Sequence, residues 1–95
     1  MHIFNKPMLS KFKEANEESV VPLDVWELEA EEAEWSGPKQ VKKLYCGATL
    51  SPNRIVFSLA RGLYRLAVKV RYERGIVLVE RVWADAQAHR STVIH

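Results

Sequence analysis

Ninety-five residues, 47% of them hydrophobic and 27% charged, are enough for one domain that buries roughly two-thirds of its unfolded surface without disulfides or a metal. One cysteine, Cys46, excludes an intrachain disulfide and is expected as a small buried hydrophobe, and no stretch is apolar over the length of a bilayer. The net charge of +2 hides a polarity: residues 1 to 46 carry six lysines against nine acids, and residues 47 to 95 carry seven arginines and one lysine against three acids.

Met1 to Phe4 can form a short strand, and Met1 to Pro7 has no apolar run of the kind a secretory leader needs, so a cytoplasmic protein without a membrane anchor is expected. Asn5 is placed to cap a helix with Pro7 in its first turn, running to about Asn16 with Met8, Leu9, Phe12 and Ala15 on one side. Ser19 offers a second cap, and Pro22 opens a helix to about Trp35. There Leu23, Trp26, Ala30 and Ala33 follow helical spacing, with Val25 and Leu28 widening the apolar stripe. Its polar side, Asp24, Glu27, Glu29, Glu31, Glu32 and Glu34, holds no cation: it is a solvated face or a docking surface for a basic partner. Gly37-Pro38 ends that helix, and Lys39 to Tyr45 reads as a short turn or helix carrying Lys42 and Lys43 toward the sheet.

Ser51-Pro52-Asn53 then leads into two hairpins. Arg61-Gly62 and Arg74-Gly75 punctuate three strands, Arg54 to Ala60, Leu63 to Tyr72 and Ile76 to Ala84, because glycine supplies the positive φ of tight turns. In the middle strand Tyr64, Leu66, Val68, Val70 and Tyr72 share one face, and Arg65, Ala67, Lys69 and Arg71 the other. Trp83 is ambiguous: two-residue turns place it on the apolar face, and any change of turn length turns it outward. The expected fold is α+β, with a short N-terminal strand, two helices and a three-stranded antiparallel meander, both helices packed on the sheet, all within one domain spanning residues 1–95.

Three scattered histidines and one cysteine make no metal-ligand spacing, and neither a nucleophile elbow nor a phosphate-cradling glycine loop is present, so no cofactor is expected. Trp35-Ser36-Gly37-Pro38-Lys39-Gln40-Val41-Lys42, then Asn53-Arg54-Ile55-Val56-Phe57-Ser58-Leu59 and Tyr64-Arg65-Leu66-Ala67-Val68-Lys69-Val70, resemble the HigB-type toxins of the RelE superfamily over nearly the whole chain. The resemblance implies a RelE-like fold and a ribosome-dependent mRNA endonuclease that inhibits translation. It also implies neutralisation by a HigA-like helix-turn-helix antitoxin, and contact with operator DNA only through that antitoxin. Lys42, Arg54, Arg65 and Lys69 match positions that are commonly basic in these toxins, and Arg71 and Arg81 complete the expected RNA-contacting set. Many members end their last strand in Thr-His-x-x-Tyr-Asp; here Asp85 stands for the histidine and Ala88 for the tyrosine, and Glu80 sits where a basic residue is frequent.

Cleavage of RNA by its neighbouring 2′-hydroxyl needs a base, cationic donors for the crowded phosphate and an acid at the departing 5′-oxygen. Arg65 suits the phosphate, and Asp85 with His89 are the candidates for proton transfer, on one side of the chain if that segment is helical. Tyr45, beside Lys42 and Lys43, is the tyrosine expected to be freest. The alternative to an endonuclease is a catalytically degenerate RelE-fold module that retains antitoxin or RNA binding without cleavage.

Overall fold

The computed structural model describes residues 1–85. Its elements in chain order are His2–Phe4 (β1), Lys6–Ala15 (α1), Val20–Glu32 (α2), Pro38–Leu44 (α3), Thr49–Leu50 (β2), Arg54–Leu59 (β3), Tyr64–Arg71 (β4) and Ile76–Ala84 (β5), with 3-10 turns at Glu17–Ser19 and Tyr72–Arg74. The fold is α+β, as the element order implies. The expected meander β3-β4-β5 is the centre of a larger sheet of order β1-β5-β4-β3-β2. β1 pairs in parallel with β5, and the short β2 closes the opposite edge against β3. The segment from Lys39 resolves into a third helix.

Strand alternation builds the core. Tyr64, Leu66, Val68 and Val70 of β4 are buried, together with Ile55, Phe57 and Leu59 of β3 and Val77 and Val79 of β5. Leu9 of α1, Leu23, Trp26 and Ala30 of α2, and Val41 of α3 belong to the same buried cluster, so the helices cover one face of the sheet. Phe57 gathers three aromatic neighbours, with ring centroids 5.5 Å from Trp26, 5.9 Å from Trp35 and 4.9 Å from Tyr45.

Several local expectations are corrected. Neither Asn5 nor Ser19 caps a helix with its side chain. Asn5, in a left-handed conformation, sends its amide to the Val79 carbonyl at 2.9 Å and so ties the start of α1 to β5. The Ser19 hydroxyl donates to the Asn16 carbonyl at 2.6 Å, because a 3-10 turn precedes α2. α2 stops at Glu32, where Ala33 becomes extended and delivers Trp35 into the core. Val25 and Leu28 do not widen the buried stripe: with Val21 they stand exposed on the side of α2 away from the sheet. Cys46 is exposed, since it lies in the tight turn closed by the Ala48 N–H on the Tyr45 carbonyl.

The first hairpin is longer than two residues. Leu59 and Tyr64 are the last pair, and Ala60, Arg61 and Gly62 all take positive φ (51°, 58° and 88°). At the two L-residues this conformation costs roughly 1–2 kcal/mol each. The second hairpin passes through the 3-10 turn and ends at Gly75, φ 63°.

Burial sets an alkaline limit on stability. Desolvation raises the phenols of Tyr45, Tyr64 and Tyr72 above their ordinary value of 10.0, and Tyr45 is raised furthest, by desolvation first and then by the hydrogen bond that its hydroxyl donates to Glu29 at 3.0 Å. A group whose pKa is raised on folding adds stability that is complete below the unfolded value and lost as pH rises through the folded one. The free energy of unfolding is therefore expected to fall above about pH 10, by up to about 1.4 kcal/mol per pH unit per tyrosine, and thermal midpoints to fall with it. Tyr45→Phe should make that decline shallower when melting is followed across the alkaline range; an unchanged slope would refute the assignment to Tyr45.

Candidate nucleic-acid interface

The sheet face opposite the helices carries the cations, and none of its described residues is buried. β3 pairs with β4 so that Arg54 faces Lys69, Val56 faces Ala67 and Ser58 faces Arg65. Alternation adds Arg71 at the other end of β4. Arg54 and Lys69 are like charges in direct cross-strand opposition, an arrangement that destabilises a sheet. Glu80 partly relieves it by accepting from Arg54, with Nε to Oε1 at 3.1 Å and Nη2 to Oε2 at 3.5 Å.

β5 reaches this face through a register shift. Lys69 pairs with Leu78 and Val68 with Val79, but Ala67 pairs with Arg81, which leaves Glu80 as an extra residue in a bulge. The bulge reverses parity, so Arg81 and Trp83 share the face of Ala67 and Arg65, while Val82 and Ala84 take the core side. Trp83 thus points outward and lies opposite Arg65, with the Arg81 guanidinium carbon 4.6 Å from its ring centroid. The phase change is visible in the amino-acid order: apolar Val77 and Val79 are followed by two charged residues before Val82.

Arg65 lies at the β4 end of this surface. Its Nε donates to the Asp85 carboxylate at 3.2 Å, and the Asp85 N–H donates to the Leu63 carbonyl at 2.8 Å. The pair fixes the guanidinium through Nε, and its two terminal nitrogens make no hydrogen bond among the described residues. Asp85 is therefore positioned against Arg65. His89, its expected partner in proton transfer, lies outside the described residues, as does Ala88.

Arg54, Arg65, Lys69, Arg71 and Arg81 are brought together on one open surface; Lys42 is not. It belongs to α3, on the helical side, and its ammonium donates to the Ala48 carbonyl at 2.7 Å. Tyr45 is not a free platform either. It packs edge-on to Trp35 and Phe57 and bonds Glu29, so its ring serves the core. The acidic side of α2 is less bare than its own sequence implies, because α1 supplies cations: Lys6 pairs with Glu31, and Lys13 with Asp24 and with Glu27, the latter at 3.3 Å. Burial opposes the Lys13 charge, and the hydrogen bonds to Asp24 and Glu27 more than offset it, holding its pKa above the ordinary lysine value.

Among the described residues no group of three or more histidine, cysteine or acidic side chains is placed to hold a metal ion, and no helix is long and apolar enough to cross a membrane. No curated protein matches the chain. The family model for the HigB toxin, described as the RelE-like toxic component of a toxin-antitoxin system, matches residues 19–87, from the start of α2 past the end of β5. With the helices on one side of the meander and the arginines on the other, the chain belongs to the HigB toxin family.

Proposed function

We propose that the chain is an endoribonuclease that cuts mRNA on the ribosome and thereby stops translation. The observation that carries this reading is the concentration of Arg54, Arg65, Lys69, Arg71 and Arg81 on one open sheet face, offset only in part by Glu80 and Asp85, with Arg54 and Lys69 held directly opposite each other. Like charges kept so close lower stability unless a polyanion arrives to separate them, and a single RNA strand supplies phosphates in series. Arg65, oriented by Asp85, is the residue assigned to the scissile phosphate, where a planar fork can hold two oxygens and stabilise the crowded intermediate. Arg54, Lys69, Arg71 and Arg81 hold the flanking backbone. His89 is assigned the proton transfer. The test is to incubate the purified, antitoxin-free protein with programmed ribosomes and map the new 5′ ends. Cleavage that requires ribosomes supports the reading, and intact message at full occupancy would refute it.

One observation favours the second reading, a degenerate module that binds without cutting: the Asp85 carboxylate, standing where many family members have a histidine, is engaged by Arg65. On that reading the same experiment gives ribosome or RNA binding and uncut message.

Membership of a toxin-antitoxin family implies an antitoxin. We assign its docking surface to the outer side of α2, where Val21, Val25 and Leu28 are 70%, 50% and 59% exposed at helical spacing among acidic residues. A helix-turn-helix antitoxin would meet this surface with an apolar stripe flanked by basic side chains. Leu28→Asp is expected to weaken antitoxin binding by about 10-fold or more, as loss of a central apolar anchor does. Titration calorimetry that finds equal affinity for mutant and wild type would remove α2 from the interface.

A further inference from the structure

We propose that Trp83 and Arg81 form a stacking platform for one unpaired base of the bound strand, so that the surface recognises a nucleobase as well as the phosphate backbone. The inference rests on the reading of the sheet face as an RNA site. Trp26 and Trp35 are enclosed in the core at 1% and 3% exposure, where their large apolar surface is best used. Trp83 is placed otherwise. The bulge at Glu80 turns it away from the core and onto a surface of arginines, where it stays partly exposed, across from Arg65. The nearest charged neighbour of Trp83 lies against the ring itself: the Arg81 guanidinium carbon is 4.6 Å from the centroid, within cation–π range.

Indole and guanidinium are both planar side-chain groups on which unpaired bases stack, and every base has a face to offer. The pair lies beside the phosphate-binding arginine, on the stretch of β5 beyond its pairing with β1. Ser58, Arg65 and Trp83 form one cross-strand row, with Arg81 in the next row opposite Ala67. A strand whose phosphate sits on Arg65 therefore brings an adjacent base over Trp83. Charge complementarity selects a polyanion for this face, and the aromatic plane selects one that carries bases.

The test uses the purified full chain with two probes: a short single-stranded RNA of mixed sequence, and inorganic polyphosphate, which carries the charge without bases. RNA is expected to quench tryptophan emission, whereas polyphosphate should bind without comparable quenching. Trp83→Leu should lose about 5- to 100-fold in RNA affinity and keep its polyphosphate affinity, and Trp83→Phe should recover part of the loss. Arg81→Gln should weaken both probes, RNA the more. If Trp83→Leu, verified as folded by circular dichroism, binds RNA as tightly as the wild type, or if polyphosphate quenches as strongly as RNA, the platform is refuted. Failure of the underlying reading looks different: the double substitution of Arg65 and Lys69 by alanine would then leave RNA affinity unchanged.

Discussion

Arg65→Ala is expected to reduce translation inhibition by about 10- to 100-fold, the effect of removing a charge-assisted contact of roughly 1.5–3 kcal/mol from the reacting phosphate. The same change should hardly affect folding. Arg65 and Asp85 retain 33% and 24% side-chain exposure, and a partly solvated pair of this kind contributes about 0–1 kcal/mol. A large loss of activity with a nearly unchanged thermal midpoint thus separates a phosphate ligand from a structural arginine. Arg65→Lys keeps the charge and loses the planar fork, so it should fall between wild type and alanine. Dose–response curves in a cell-free translation reaction provide the measurement. Full potency of the alanine variant would sink the assignment of this face to RNA.

The largest stability effect is expected at Phe57. Its ring is fully enclosed on the helix-facing side of β3 and touches Trp26 of α2, Trp35 of the following segment and Tyr45 at the end of α3. Phe57→Ala removes the ring on which these three elements converge, and large-to-small changes at such sites cost about 3–5 kcal/mol. Against a total of about 5–15 kcal/mol for a domain of ordinary stability, that is a substantial share. The thermal midpoint should drop by roughly 15–30 °C, with the near-ultraviolet signal of the aromatic cluster reduced. Phe57→Leu, which retains most of the apolar volume, should lose much less. A drop of only a few degrees for the alanine variant would mean that the cluster closes over the gap.

Arg65 was legible in the amino-acid order because strand alternation is a local property. Residues of like parity share a face whatever the rest of the chain does, so the apolar set Tyr64, Leu66, Val68 and Val70 and the cationic set Arg65, Lys69 and Arg71 could be assigned from β4 alone. Composition likewise indicated where the hairpins fall and which half of the chain is basic. Features that depend on distant partners were not available in the same way. The parallel seat of β1 against β5 joins residues more than seventy positions apart, and the two-residue β2 exists only because β3 offers an edge. Asn5 and Ser19 look like helix caps until the Val79 carbonyl and the 3-10 turn claim their side chains.

Two outcomes of folding matter most for function. A single bulge at Glu80 put Trp83 on the arginine surface, a choice that strand parity alone left open, since one extra residue reverses every side chain beyond it. On α2, apolar residues occupy both sides of the helix, and periodicity cannot say which side a sheet will cover; the sheet took Leu23, Trp26 and Ala30 and left Val21, Val25 and Leu28 to solvent. Period and charge follow from covalent order because they involve neighbours in the chain. Register and coverage require the free energy of contacts between segments, and these exist only once the chain has closed upon itself.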